Sequence, residues 1–406
     1  MLDIAREFGT PTYIYSRRTF VDHFRKLDEA FREVEHLVCY SVKANGNLAV
    51  LKILEGEGAG FDVVSAGELY RALRIGASPE KIVFAGVGKT PQEIGFAIDQ
   101  GVHMFNVESA AELWTIHALA RTKNKVVQVA LRVNPDVAAT THRHLQTGKQ
   151  ENKFGIAIPR ARELAARMHE LPGVRLTGLH VHIGSQLTDT APIRQALARM
   201  ADLVGELRAQ GHPIANLNIG GGLGIHYQGR EGLPAQVFAD AVLPLVQPLG
   251  CRIILEPGRF IMGNAGILLT RVTYVKSGER RRFVITDAGM TDLLRPSLYE
   301  AYHLIWPVLS DEDGRAHRED AGEAVCDVVG PICESADFLA LERRLPRIAP
   351  GDYLAVFSAG AYGHVLSSNY NARPRSPEVL VEGDTFRVVR RRETYEDLVR
   401  DEILYY

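Results

Sequence analysis

Phe61-Asp62-Val63-Val64-Ser65-Ala66-Gly67-Glu68 joins a β-forming run directly to a helix start. Phe61–Val64 is short and apolar. Ser65 and Glu68 then stand at capping-box spacing, a hydroxyl and a carboxylate placed to take the free amide protons of a first helical turn. The unit recurs. Lys81–Ala85 leads to Thr90-Pro91-Gln92-Glu93, with proline at the first helical position, and His103–Val107 leads to Ser109-Ala110-Ala111-Glu112. On the amino-terminal side, His36–Val42 reads as a strand and Asn47–Glu57 as a helix. On the other side, Val126–Val133, Arg175–His182, Ile214–Ile219 and Cys251–Glu256 read as strands. Helical patterns at Pro159–Glu170, Ala191–Gln210 and Ala235–Val246 separate them. Eight alternations with continuously apolar strands predict a parallel sheet closed by helices, a TIM-type (β/α)8 barrel. A doubly wound open sheet is the rival, but Lys43-Ala44-Asn45 follows the first strand where that fold would carry its glycine fingerprint.

The pattern changes after about Gly266. Ile267–Lys276, Arg282–Thr286, Ala324–Val329, Tyr353–Phe357, Val379–Val381 and Thr385–Arg391 read as strands parted by turns. The expected organisation is a barrel over residues 22–266. A β-rich domain, sandwich- or barrel-like, would comprise 1–21 plus 267–406 and take up an amino-terminal strand at Thr12-Tyr13-Ile14-Tyr15.

The 406 residues suit a barrel of about 250 residues plus a second module. A hydrophobic share of 46% and a charged share of 24% are those of an ordinary globular enzyme, and a net charge of −2 argues against nucleic acid or an anionic membrane as partner. Arg280-Arg281-Arg282 and Arg390-Arg391-Arg392 read as solvated strand ends. Asp3 interrupts the first residues and no apolar h-region follows, so no signal peptide is expected, and no run approaches a membrane span. Cys39, Cys251, Cys326 and Cys333 form no CxxC pair, which fits free thiols in a cytoplasmic enzyme.

Barrel active sites lie at the carboxyl ends of the strands, with phosphate often held after strands seven and eight. Those positions carry Gly220-Gly221-Gly222-Leu223-Gly224 and Glu256-Pro257-Gly258-Arg259. A glycine run alone is usually a turn; its place after strand seven, facing glycine and arginine after strand eight, favours an anion cradle. Lys43 ends strand one. Alone it would be a solvated strand end, but opposite a phosphate site and Glu256 it reads as the imine-forming lysine of pyridoxal phosphate. Partial burial is expected to lower its pKa. Glu256 would keep the pyridine nitrogen protonated, which makes the cofactor an electron sink and points to decarboxylation; its bland reading is a rim salt bridge. His180 and His182 form an H-x-H pair on strand six, both expected on one side. A two-histidine metal site lacks further ligands at later strand ends, so no metal is expected, and stacking of His182 on a flat ring explains it better. His142 and His144 read as surface residues.

These residues resemble the fold-type III pyridoxal-phosphate decarboxylases. The resemblance spans nearly the whole chain and rests on several motifs in one order. They are Cys39-Tyr40-Ser41-Val42-Lys43-Ala44-Asn45, Phe61-Asp62-Val63-Val64-Ser65, Glu151-Asn152-Lys153-Phe154-Gly155-Ile156, His182-Ile183-Gly184-Ser185-Gln186 and the glycine run. Glu256-Pro257-Gly258-Arg259, Asp292-Leu293-Leu294-Arg295-Pro296, Gly330-Pro331-Ile332-Cys333-Glu334-Ser335, Gly360-Ala361-Tyr362-Gly363 and Ser367-Ser368-Asn369-Tyr370-Asn371 follow. The resemblance implies Lys43 as the cofactor lysine, with His182 on the ring face. Ser185, Gly221, Gly222, Gly258, Arg259 and Tyr362 would hold the phosphate. Arg259, Arg295 and Tyr299 would take substrate carboxylate, with Tyr362 also lining the substrate, and Glu334 the distal ammonium. Cys333 would deliver the proton that replaces CO2. It also implies an obligate homodimer in which Cys333 and Glu334 serve the partner subunit's site. Such relatives usually carry a segment ahead of the stretch matching Leu2–Tyr15.

The residue types fit those roles. A small-molecule substrate with an amino-acid group at each end needs a distal cation and anion, which Arg295 and Glu334 supply. A thiol can donate a proton near neutral pH, although a free cysteine is commonly a small buried hydrophobe. Alternatives are a relative acting on a D-amino acid, carboxynorspermidine or carrier-linked ornithine, and a non-catalytic cofactor-binding homologue.

Overall fold

A computed structural model describes residues 1–137, 153–227, 232–278, 281–308 and 323–405. His142, His144, Glu151, Asn152 and Arg280 lie outside them. The chain divides into two compact units: residues 21–225 with 231–261, and residues 1–20 with 226–230 and 262–406.

The first unit is the expected barrel. Its eight parallel strands are β1 (His36–Ser41), β2 (Gly60–Val63), β3 (Ile82–Phe84), β4 (Met104–Val107), β5 (Val127–Asn134), β6 (Val174–His180), β7 (Asn216–Asn218) and β8 (Arg252–Leu255). They run in the order β4-β3-β2-β1-β8-β7-β6-β5, and β4 pairs with β5 through Phe105↔Val129 and Val107↔Leu131. That last pairing closes the sheet and removes the open-sheet rival. Leu37, Cys39, Val83, Met104, Ala130 and Ile254 pack as one buried cluster contributed by five of the strands. Burying each larger side chain of this kind stabilises by roughly 1.5–3 kcal/mol.

The helix starts follow the capping residues, with a variation. Thr90 and Glu93 make the full reciprocal box. Ser65 and Ser109 accept from the amides of Glu68 and Glu112, but the two glutamates reach one residue further back, to the amides of Val64 and Glu108. The carboxylates thereby tie each strand end to the helix that follows it.

The second unit is a nine-stranded sheet. Its main path runs Phe338–Pro346, Glu323–Val329, Arg282–Thr286, Gly266–Ser277, Thr12–Ser16, Glu378–Glu382 and Thr385–Arg390. Ile305–Pro307 pairs with Tyr353–Val356, which pairs with Gly266–Ser277. The amino-terminal strand is interior, antiparallel to Gly266–Ser277 through Tyr13↔Leu268 and parallel to Glu378–Glu382 through Ile14↔Val379. Two strands went unread in the sequence. Phe338–Pro346 carries Glu342-Arg343-Arg344 at its centre, with Glu342 at φ +52, so its pattern lacks the period of two. Ile305–Pro307 is too short to show one.

Candidate active site

The polar groups of the barrel gather where the strands end. Ser41 and Asp62 are register partners across β1 and β2. Asp62 is wholly buried, and its Oδ2 accepts from Lys43 Nζ at 2.6 Å and from Ser41 Oγ at 2.7 Å. Its Oδ1 meets no hydrogen-bond partner among the described residues. Burial pushes the Asp62 carboxyl up and the Glu256 charge adds to it, while Lys43 and Ser41 pull it down. Lys43 itself stands in a single 3-10 turn, Val42–Ala44, just past β1. Its side chain is 40% exposed, so the amine is anchored yet reachable. Sequence reasoning ascribed the state of this amine to burial alone; the structure gives it a buried acidic neighbour.

Glu256 follows β8 and is 7% exposed. Asn106 Nδ2 and Asn218 Nδ2 both donate to its Oε1, at 2.8 and 2.6 Å. His180 Nε2 lies 3.3 Å from Oε2, a charge contact rather than a well-aligned hydrogen bond. Burial would raise this carboxyl, but His180, Lys43 and the Asn218 amide together outweigh it and hold Glu256 below the usual carboxylate range. It is therefore an ionised group in a dry surround. Arg132, His180 and Asn218 are register partners across β5, β6 and β7, which explains how His180 reaches Glu256.

His180 and His182 do not share the strand. β6 ends at His180, so His182 lies just beyond it, and both imidazoles interact with Glu256. The His182 ring keeps some open surface, yet burial, Arg132 and Lys43 push its pKa down to about 3. Its Nδ1 accepts from the Gly221 amide at 3.3 Å, so the neutral ring carries its proton on Nε2.

The glycine run has close neighbours. A Cβ on Gly221 would stand 2.1 Å from the Glu256 carbonyl oxygen, and one on Gly222, at φ +102, would stand 2.3 Å from that of Gly184. No other residue fits either place. Arg259, 6% exposed, points Nη2 at Ser185 Oγ, 3.3 Å away. Gly258 precedes it.

These groups suit pyridoxal phosphate. A turn that admits only glycine, beside the Arg259 guanidinium and the Ser185 hydroxyl, suits a phosphate dianion. Glu256, ionised and held through Oε1 by two amides, suits a protonated ring nitrogen. Lys43 offers the amine for the aldehyde carbon. Among the described residues no group of three or more His, Cys, Asp or Glu could hold a metal.

In the second unit, Arg295 and Tyr299 lie on one short helix, Arg295–Tyr299, with the guanidinium carbon 6.0 Å from the Tyr299 ring centre. Cys333 is exposed, and its amide donates to Asn371 Oδ1 at 2.8 Å. Glu334 Oε1 accepts from the Ala336 amide at 3.4 Å. Asp337 accepts from the amides of Met290 and Ile332, both at 2.6 Å, and so pins the Cys333 loop to the Asp292 loop. Tyr362 sits at φ +56.

A parallel barrel whose rim joins an amine, a buried ionised carboxylate and a glycine–arginine anion cradle defines a pyridoxal-phosphate enzyme. The pyridoxal-dependent decarboxylase family, pyridoxal binding domain, matches residues 17–263. A diaminopimelate decarboxylase of Aquifex aeolicus is 46% identical over 398 residues, covering 98% of this chain and 92% of that protein. One of Pseudomonas aeruginosa is 47% identical, covering 99% and 94%. The crystal structure of diaminopimelate decarboxylase from Helicobacter pylori complexed with L-lysine superposes with a TM-score of 0.93 at 39% identity, covering 98% of each chain. The chain belongs to the diaminopimelate decarboxylase family of pyridoxal-dependent decarboxylases.

Sequence reasoning missed Asp62, Asn106, Asn218 and the part played by His180. Asp62 and Asn106 are each the one polar side chain in an otherwise apolar strand, and that isolation is the signal that could have found them.

Proposed function

We propose that this chain decarboxylates meso-2,6-diaminopimelate to L-lysine and CO2, the final step of lysine biosynthesis. The carrying observation is Glu256, kept ionised by two asparagine amides and His180 at the rim that also bears Lys43. When bound, pyridoxal phosphate supplies a conjugated ring that accepts the electron pair left behind by CO2.

The protein's own groups do the rest. Lys43 presents an amine, with the Asp62 carboxylate as a proton-accepting neighbour. His182, neutral and flat, covers a ring face without adding charge that would compete for the electron pair. Glu256 holds a proton on the ring nitrogen. Ser185, Gly221, Gly222, Gly258, Arg259 and Tyr362 hold phosphate. Arg295 takes the distal carboxylate, with Arg259, Tyr299 and Tyr362 lining the substrate, and Glu334 takes the distal ammonium. The Cys333 thiol hands a proton to the carbon that lost CO2, and its exposure leaves it open to an incoming substrate.

A homodimer that shares its active sites, with Cys333 and Glu334 serving the other copy, is part of this reading. Leu298, Leu304, Trp306, Val325 and Leu341 are large apolar side chains that the second unit leaves exposed, as an interface would require. No helix among the described residues is long and apolar enough to cross a membrane, which accords with a cytoplasmic enzyme.

Purified protein supplied with pyridoxal phosphate should release CO2 from meso-diaminopimelate far faster than from lysine or ornithine. Equal rates on all three would refute the substrate. Borohydride reduction and peptide mapping should place the pyridoxyl group on Lys43.

A further inference from the structure

Arg295 is only 6% exposed, and a buried guanidinium needs its N–H groups answered. Its Nε–H donates to His303 Nε2 at 3.3 Å, and His303 Nδ1 lies 2.9 Å from the backbone oxygen of Phe357. A guanidinium cannot accept and a carbonyl cannot donate. His303 must then be neutral with its proton on Nδ1, its tautomer fixed from both ends. The ring of Tyr227 meets His303 edge-on at 5.8 Å and lies 5.7 Å from the Arg295 guanidinium carbon. His303 itself is fully buried. Local backbone makes the meeting possible: Glu300 takes a left-handed φ of +52, ends the Arg295–Tyr299 helix and turns the chain back. His303 so arrives beside a residue eight positions earlier.

We infer that His303 is a positioning residue for Arg295, and through it a determinant of selectivity for substrates with a distal carboxylate. Holding the Nε edge fixes the plane in which the guanidinium meets a carboxylate, and a planar fork loses its bidentate match when it can swing. Tyr227 restrains both groups from the side. An imidazolium at residue 303 would set like charges 3.3 Å apart, so the neutral ring is the form that does this. The inference rests on the reading of Arg295 as the receptor for the distal carboxylate.

The test is steady-state kinetics on the pyridoxal-phosphate-loaded enzyme with meso-diaminopimelate, alongside binding of 1,5-diaminopentane, which lacks the distal carboxylate. His303→Phe, which keeps the ring and removes both nitrogens, should raise KM about tenfold, as expected from misplacing one charge-assisted contact. Its kcat and its affinity for 1,5-diaminopentane should stay within about twofold of the parent, while its affinity for L-lysine, which keeps the distal carboxylate, should weaken with the KM. His303→Gln, whose amide offers one acceptor and one donor, should restore most of the lost KM. No KM change in His303→Phe, or equal losses in both variants, would overturn the inference. Arg295→Ala separates the two ideas. If it leaves KM unchanged, the reading of Arg295 fails; if it raises KM while His303→Phe does not, only the positioning role fails. A further measurement does not depend on how the Phe variant folds. In 15N-histidine spectra of the parent protein, the signal lost in His303→Gln should be a neutral imidazole protonated on Nδ1. A ring protonated on Nε2 would overturn the inference.

Discussion

Glu256 has one oxygen saturated by two amide donors and the other turned toward His180. Glu256→Gln keeps the shape and loses the charge, so kcat should fall about a hundredfold or more at saturating cofactor, the usual scale for removing one aligned electrostatic partner. A kcat within a few-fold of the parent would count against the electron-sink assignment. His182 gives a pH dependence. Its pKa is pushed down to about 3 in the folded state, against about 6.5 for an unfolded imidazole. Between those values the unfolded chain binds more protons, so stability is lost as pH falls below about 6.5. By pH 5 the loss from this group approaches about 2 kcal/mol. Cofactor-free His182→Phe lacks the ionisation, and its Tm should drop less between pH 7 and 5 than that of the parent; an equal drop would contradict the assignment. Lys43, Glu256 and the glycines were legible because strand ends are marked by turn residues nearby. Asp62 and Asn106 were not, since their partners lie 19 and 150 residues away, brought near by the pairing of β1 with β2 in the first case and by barrel closure in the second.

Strands and helices were legible wherever capping residues marked the switch of period, which is why the barrel could be counted. The capping glutamates also do something that spacing does not disclose. Glu112, besides bonding the Glu108 amide, takes an ion pair at 2.6 Å from Lys89, whose side chain is wholly buried. Lys89 Nζ also donates to the carbonyl oxygens of Gly86 and Asn106, both at 2.8 Å, so all three ammonium protons are used. The bond to Asn106 anchors the backbone of a residue that holds Glu256. Lys89→Met should strip a buried carboxylate of its partner and cost about 3–5 kcal/mol, while the double variant Lys89→Met/Glu112→Gln should recover a large part of it. Thermal melts of the single and double variants check this, and a double variant no more stable than the single would exclude a charge-pair origin. Sequence gave no hint of the pair, because a lysine in a loop reads as solvated until the fold encloses it.

At the level of the molecule, the amino-terminal strand Thr12–Ser16 completes the second unit's sheet, with Tyr13 donating to the Asp292 carbonyl and Tyr15 to Glu378 Oε1. Removing residues 1–16 should expose the facing edges of Gly266–Ser277 and Glu378–Glu382. Limited proteolysis with mass mapping should then show new early cuts between 266 and 390, and an unchanged cutting pattern would contradict the structural role of that strand. The sequence disclosed the strand by its alternation but not its interior place, which depends on two partners far along the chain, Gly266–Ser277 and Glu378–Glu382. Its place also bears on synthesis. A ribosome adding roughly 5–20 residues per second needs tens of seconds to pass from Tyr13 to its parallel neighbour Glu378. The barrel draws on residues 21–261 alone and can close while the rest is still being translated. The earliest strand to leave the exit tunnel can pair on one side once Gly266–Ser277 emerges, but its other edge waits for nearly the last strand, and the nascent chain keeps an adhesive β-edge available to chaperones until translation is almost finished.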